Sequence, residues 1–359
     1  MENTNQLATP FVYTSAPSRV VFGTGTLSRL AQEIELLGLK RVLIVGTQNQ
    51  RSQMEALKEV IGANAVALFD GAAMHTPVAV TEQAMAIVAQ LDIDGVVGLG
   101  GGSSIGLSKA IAFRTGLPQI VVPTTYSGSE MTAILGETQD GLKITKSDPR
   151  IRPETVIYDV ELTTTLPVDI SVTSGMNAIA HAVEALYAHD TNPVIAALAE
   201  EGVRSLAAAL PKLAKSPDNI SAREQALYGS WLCGICLGST AMAIHHKLCH
   251  TLGGTFDLPH APTHTALLPH ALAYNAGHAP QAIERLKRAL NHDNPAVALF
   301  DLAQSLGAEM SLKNLGMPEE GIDRATDLAF KNVYPNPRRL EPEGVRQVIS
   351  DAWNGKRPA

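Results

Sequence analysis

The chain has 359 residues, 45% of them hydrophobic and 18% charged, with a formal net charge of -7 and a pI near 5.9. This acidic balance, with no basic run, excludes a nucleic-acid footprint and an anionic membrane surface, and points to a small-molecule ligand. No window approaches the roughly 20 apolar residues of a membrane span. The segment MENTNQLATPFVYTSAPS has neither the basic start nor the apolar core of a signal peptide, and three cysteines are too few for a disulfide framework, so a reducing cytoplasm is expected.

From Ser18 to about Asp159, short runs rich in Val and Ile alternate with helical periods: RVVFG, RVLIVG, AVALFDG, GVVGLGGG, QIVVPTT and TVIYD. That alternation predicts a mostly parallel sheet covered by helices, an α/β nucleotide-binding domain over residues 1–162. Asp140-Gly141, between two alternating stretches, predicts a β-hairpin turn. After Leu162 the chain becomes long Ala- and Leu-rich segments with almost no strand signal, which predicts an all-helical domain over 163–359 and a ligand cleft shared by the two domains. Cys233 and Cys236 form a C-x-x-C inside an apolar helical run, best read as buried packing.

GLGGGSSIGLSKAIA runs straight from a strand into a helix. Glycines let the backbone approach a bulky anion, and the free N–H groups of a helix N-terminus favour its charge. Gly100, Gly101, Gly102 and Ser103 are therefore the expected pyrophosphate contacts. A second loop, VPTTYSGSEMT, adds Thr124, Thr125 and Ser127 at another strand end, and two such loops make a nucleotide crevice. The spacing is not G-x-G-x-x-G, so an ordinary Rossmann domain is not expected.

HHKLCHTLGGTFDLPHAPTHTALLPH, residues 245–270, holds six of the chain's eleven histidines. His246 and His250 stand four apart and share a helix face. The Gly253-Gly254 pair is the expected break that brings His260 back towards them. Imidazole ligates metals, carries protons near neutral pH and donates hydrogen bonds to developing anions.

GGGSS, PTTYSGSE, GMNAIAHAVEA and HHKLCHTLGGTFDLPHAPTH together resemble the iron-containing alcohol dehydrogenase superfamily over nearly the whole chain. The resemblance implies a dehydroquinate synthase-like fold and NADH or NADPH as cofactor. Within the superfamily, the doubled His245-His246, the following C-H-T-L-G-G and the final NGKRP are most similar to the enzymes that reduce maleylacetate, and often its chlorinated relatives, to 3-oxoadipate in bacterial breakdown of aromatic compounds. It also implies a homodimer.

Departures from the superfamily's metal-dependent pattern are informative. The metal-dependent members hold their ion with an Asp and three histidines, and the matching positions here are Asn177, His181, His246 and His260. An amide is a poor ligand for a hard or borderline cation, so no required metal is expected, although the three imidazoles can trap adventitious zinc or iron. Loss of the Asp also implies a site without an anion. Gly106 stands where the dehydrogenases usually carry an Asp, and Tyr126 lies in a loop one residue shorter than theirs. Thr47 replaces the acidic residue that pairs with the adenosine ribose, so both NADH and NADPH are expected, though Thr47 reads equally as a plain turn residue.

These comparisons imply His246 and His250 as the central catalytic pair, with His181, His260 and Asn177 lining the pocket. A dicarboxylate substrate asks for cationic or hydrogen-bonding anchors, for which Tyr126, Lys247, Tyr334 and Arg338 are candidates. Lys143 matches a lysine near the cofactor ribose in the dehydrogenases. Two other functions stay open: a metal-dependent alcohol dehydrogenase on the same scaffold, and a lyase like dehydroquinate synthase.

Overall fold

The computed structural model describes residues 11–14, 18–139 and 142–359, and the backbone alone of Lys143. The expected Asp140-Gly141 turn and the Lys143 side chain lie outside what is described. Two compact units emerge: residues 18–166 with 218–227, and residues 167–217 with 228–359.

The first unit is built on six parallel strands: β1 (Arg19–Gly23), β2 (Val42–Val45), β3 (Ala65–Phe69), β4 (Gly95–Gly100), β5 (Gln119–Pro123) and, after a hairpin of β6 (Ile134–Gln139) and β7 (Leu142–Ser147), β8 (Thr155–Asp159). Their order is β1-β8-β5-β4-β2-β3, all neighbours parallel. The central strands β2, β4, β5 and β8 are buried along their whole length, which is why they read as continuous apolar runs rather than alternating ones. Helices α1 (Leu30–Leu36) and α2 (Arg51–Ile61) pack Leu30, Ile34, Met54 and Leu57 against Val42, Ile44, Val97 and Leu99 on one face. Helices α3 (Val78–Gln90) and α4 (Gly102–Thr115) pack Ala84, Val88, Leu107 and Ile111 against Leu43, Val45 and Val96 on the other. The helices that follow the adjacent strands β2 and β4 thus leave on opposite faces, so the carboxyl ends of these strands form a topological switch point, where open α/β sheets bind ligands.

The second unit is helical: α5 (Val168–Tyr187), α6 (Pro193–Lys215), the latter part of α7 (Ile220–Leu237), α8 (Ile244–Phe256), α9 (His260–Asn275), α10 (Pro280–Leu290), α11 (Pro295–Ser305), α12 (Gly321–Ala329) and α13 (Pro342–Trp353). Asn192 and Asn294 cap α6 and α11 with their side-chain oxygens, each followed by a proline at the first helical position. Helix α5 is buried almost all round, as its near-uniform small and apolar composition demands. Leu248, Leu252, Leu267 and Ala271 join Ile322, Val345, Ile349 and Trp353 in the core beneath α8 and α9.

The expected break at Gly253-Gly254 does not occur. Helix α8 runs through both glycines and ends at Asp257, which adopts the left-handed conformation at φ 53°. A short polar side chain tolerates that region, so the reversal falls three residues beyond Gly254. Cys233, Cys236 and Cys249 are free and buried. Among the described residues no helix is long and apolar enough to cross a membrane.

The loop after β5 is fastened from beneath by Lys109. This completely buried side chain donates to Ser129 O at 2.6 Å, Thr132 Oγ1 at 2.8 Å and Ile134 O at 3.0 Å. Burial pulls its pKa down to about 7, opposed by the charge of the equally buried Glu130, whose Oε1 accepts from Tyr158 at 2.8 Å. Lys109→Ala removes the donor from all three oxygens at once. We expect a loss of roughly 3 kcal/mol, read as a fall in the urea midpoint at unchanged slope.

Candidate active site

At the switch point of the sheet, the strand ends are laced together by Gln50. Its Oε1 accepts from the backbone and hydroxyl of Thr47 at 3.0 and 2.9 Å and from Ser104 Oγ at 3.1 Å, and its Nε2 donates to Thr124 Oγ1 at 3.3 Å. One amide therefore ties the β2, β4 and β5 ends to each other. The Thr47 hydroxyl is committed to this cap, which favours the turn reading of that residue over a ribose contact.

Helix α4 begins at Gly102 with no side chain capping its first turn, leaving N–H groups for an anion. Gly100 has φ 134°, and a Cβ there would stand 2.3 Å from Gln50 Nε2. A Cβ at Gly101 would stand 2.9 Å from Thr125 Cγ2, whereas at Gly102 nothing lies within 4 Å. So Gly100 and Gly101 are glycine because side chains of this chain crowd them, and Gly102 opens the helix end. The buried Thr125 Oγ1 has no hydrogen-bond partner, an orphan beside the uncapped turn. These features fit a dinucleotide pyrophosphate. Gly106, at the dehydrogenases' Asp position, makes room for Thr76: a Cβ would meet Thr76 Oγ1 at 2.3 Å, and Thr76 is held at φ 46°. Tyr126 is completely buried. Its hydroxyl accepts from Nη1 of buried Arg223 at 3.3 Å, while Nη2 of Arg223 donates to Leu166 O at 3.0 Å. Burial pushes the phenol up, opposed by Arg223.

In the helical unit, α5 presents Asn177, His181 and Glu184 at i, i+4 and i+7, one stripe of the helix. All three are buried, Glu184 completely. Asn177 Nδ2 lies 3.3 Å from His181 Nε2, His181 Nδ1 lies 2.8 Å from His246 Nε2, and His246 Nδ1 lies 2.7 Å from Glu184 Oε2. Glu184 also receives the backbone N–H groups at the start of α8: Ala243 at 2.7 Å, His245 at 2.7 Å and His246 at 3.4 Å. The expectation of a site without an anion is therefore corrected. A carboxylate lies directly behind His246, on the same α5 stripe as the lost Asp. The seven-residue spacing within NAIAHAVE was the signal that carried it.

Around this chain the remaining histidines divide by exposure. His250 is exposed on α8, its ring 6.2 Å from that of His246, and its Nδ1 lies 3.4 Å from Tyr334 Oη. His260 is exposed at the start of α9, its ring 4.4 Å from that of His264. His245 and His264 are fully buried and paired, Nε2 to Nδ1, at 2.9 Å. Burial first, then the neighbouring imidazoles, holds both well below the ordinary histidine range, so they stay neutral. With Cys249 they place three donor atoms within 4.8 Å of one another, but the imidazoles already satisfy each other there and no carboxylate joins them.

Segment 332–339 is pinned by Asn336, which exchanges two hydrogen bonds with Asn275 of α9 at 3.0 and 2.7 Å and accepts from Ile244 N at 3.4 Å. This holds Tyr334 beside His250, with the Lys247 ammonium 5.7 Å from the Tyr334 ring centre. Arg338 instead lies over the Tyr274 ring at 4.1 Å and donates to Tyr274 O, a packing position. Glu184, Gln50, Arg223 and Asn336 were not singled out from the sequence.

The chain belongs to the iron-containing alcohol dehydrogenase family: the family model for iron-containing alcohol dehydrogenases matches residues 17–160 and the model for the family's C-terminal part matches 171–353. It is 51% identical to maleylacetate reductase of Sphingobium indicum over 348 residues, 97% of this chain and 99% of that one, and 51% identical to maleylacetate reductase of Burkholderia cepacia over 349 residues, with the same coverage. The crystal structure of maleylacetate reductase from Agrobacterium tumefaciens superposes with a TM-score of 0.95 at 50% identity, covering 98% of this chain and all of that one. The parallel sheet followed by a helical unit is the dehydroquinate synthase-like fold expected.

Gly101→Ala forces Thr125 aside at the glycine turn before α4. We expect NADH affinity to fall about tenfold, in a fluorescence titration, with the melting temperature nearly unchanged.

Proposed function

We propose that this protein is an NAD(P)H-dependent reductase that converts maleylacetate to 3-oxoadipate, and also takes chlorinated analogues that fit the same pocket, without a required metal. The full-length likeness to maleylacetate reductases carries this reading. The sheet unit supplies the dinucleotide cradle: the uncapped start of α4, Thr125 beside it, and Gln50 holding the strand ends in register. Bound there, NADH or NADPH supplies a hydride.

The family's name implies iron, and the residues at its ligand positions do not fit a hard cation. Asn177 turns its Nδ2 to His181, a donor rather than a ligand atom. His181 and His246 stand 2.8 Å apart and are spent on one another, whereas two nitrogens on one tetrahedral zinc lie about 3.4 Å apart. Glu184 faces the other nitrogen of His246. The reaction suits such a site. Maleylacetate is an enone flanked by carboxylates, so charge arriving at the alkene spreads into an enolate and needs less Lewis acidity than an isolated carbonyl. Imidazole N–H groups stabilise that oxyanion, and a histidine returns a proton to the neighbouring carbon. The exposed His250 and His260 are the imidazoles placed to meet a ligand, with Tyr334 and Lys247 beside His250 as anchors for a carboxylate. We assign the protein to the cytoplasm, which its three free, buried cysteines suit, and expect a homodimer.

The test is NADH oxidation with maleylacetate by protein dialysed against EDTA and assayed for metal in the same batch. Full turnover in metal-free protein is expected. Turnover that returns only with added iron or zinc would overturn the metal-free part, and none under either condition would overturn the substrate.

A further inference from the structure

We infer that Glu184 is the positioning residue of the histidine site: it decides which nitrogen of His246, and through it of His181, carries the hydrogen. The role for catalysis rests on the reductase reading above, whereas the hydrogen assignment rests on geometry alone. Backbone N–H groups can only donate. Ala243 N and His246 N point at Glu184 Oε2 and His245 N points at Oε1, so both oxygens are acceptors. The 2.7 Å contact between Oε2 and His246 Nδ1 therefore runs with Nδ1–H donating.

A neutral imidazole has one N–H, so His246 Nε2 keeps its lone pair. The 2.8 Å contact to His181 then requires His181 Nδ1 to donate, and His181 Nε2 to be bare. Only a donor can face that bare nitrogen. The Asn177 atom facing it is Nδ2, and the amide oxygen is the buried atom left without a partner. Asn177, His181, His246 and Glu184 thus form a chain of hydrogen bonds with a single direction, every donor pointing inward to the carboxylate. The opposite direction would need a donor at Glu184, which has none.

Two consequences follow. Glu184 does two jobs with one charge, since the N–H groups it takes up are those of the helix start that carries His246, so the fold of α8 and the tautomer of its histidine are set together. The outer end of the chain is an acceptor, Asn177 Oδ1, which calls for a ligand-side donor: a hydroxyl, an amide N–H, or a water whose second hydrogen reaches the substrate oxyanion.

The experiment is magic-angle-spinning NMR of protein labelled with 15N at histidine, without substrate or cofactor. Wild-type His181 and His246, identified by transfer between their facing nitrogens, should both be Nδ1–H tautomers with bare Nε2. Either ring found as the Nε2–H form overturns the inference. In Glu184→Gln an amide replaces a group that must accept at both ends. We expect mixed tautomers for the pair and a kcat with maleylacetate lowered on the order of 10–100-fold, at an NADH KM within twofold of wild type, measured at a temperature where circular dichroism shows the variant folded. Unchanged tautomers and kcat in that variant also overturn it. Should E184Q fail to fold, the wild-type spectrum decides. Wild-type protein that ignores maleylacetate yet shows both Nδ1–H tautomers refutes the substrate reading and leaves the assignment standing.

Discussion

The helical unit is organised around a completely enclosed carboxylate. Glu184 sits in the last turn of α5 with no access to water, and burial of a charge is tolerated only where hydrogen bonds replace the lost solvent. Here three backbone N–H groups, one imidazole and, at 3.5 Å, the Tyr187 hydroxyl supply them. Because those N–H groups belong to the start of α8, the solvation of one anion fixes where that helix begins. It also fixes where His245, His246 and His250 stand along it.

The sheet unit ties its strand ends and the loop after β5 together with buried polar side chains. Gln50 uses both ends of its amide to join three strand ends that are far apart in the chain. Lys109 holds the following loop through its carbonyls and hydroxyl from below. The glycines of the loop are then explained by the side chains around them: Gln50 and Thr125 occupy the space in which a Cβ at Gly100 or Gly101 would stand. The polar groups of these strand ends are committed to one another, whereas Gly102 and the Thr125 hydroxyl are left open.

Asn177 and the histidines of α5 and α8 are bound to one another. Next to an amide, His181 finds a donor on one side and His246 on the other, and the three side chains close into hydrogen bonds. His264 and His245 repeat the behaviour one layer away, neutral and paired. A cluster of imidazoles with one carboxylate at its base is a device for directing hydrogens.

The sequence by itself determined the parallel sheet, the hairpin strands and the helical second half, since each is written in local periodicity. It also carried the family membership, because four ordered motifs survive in it. Tertiary structure decided the rest. Gly253-Gly254 looked like the turn, but packing carries α8 through both glycines to Asp257. Arg338 looked like an anchor, but its guanidinium lies on Tyr274. Glu184, Gln50 and Asn336 are ordinary polar residues in the chain, and only their burial beside partners dozens of residues away makes them central. The physical reason is that a hydrogen bond's worth depends on what has been excluded around it, and the exclusion of water is a property of the folded core, not of the local sequence.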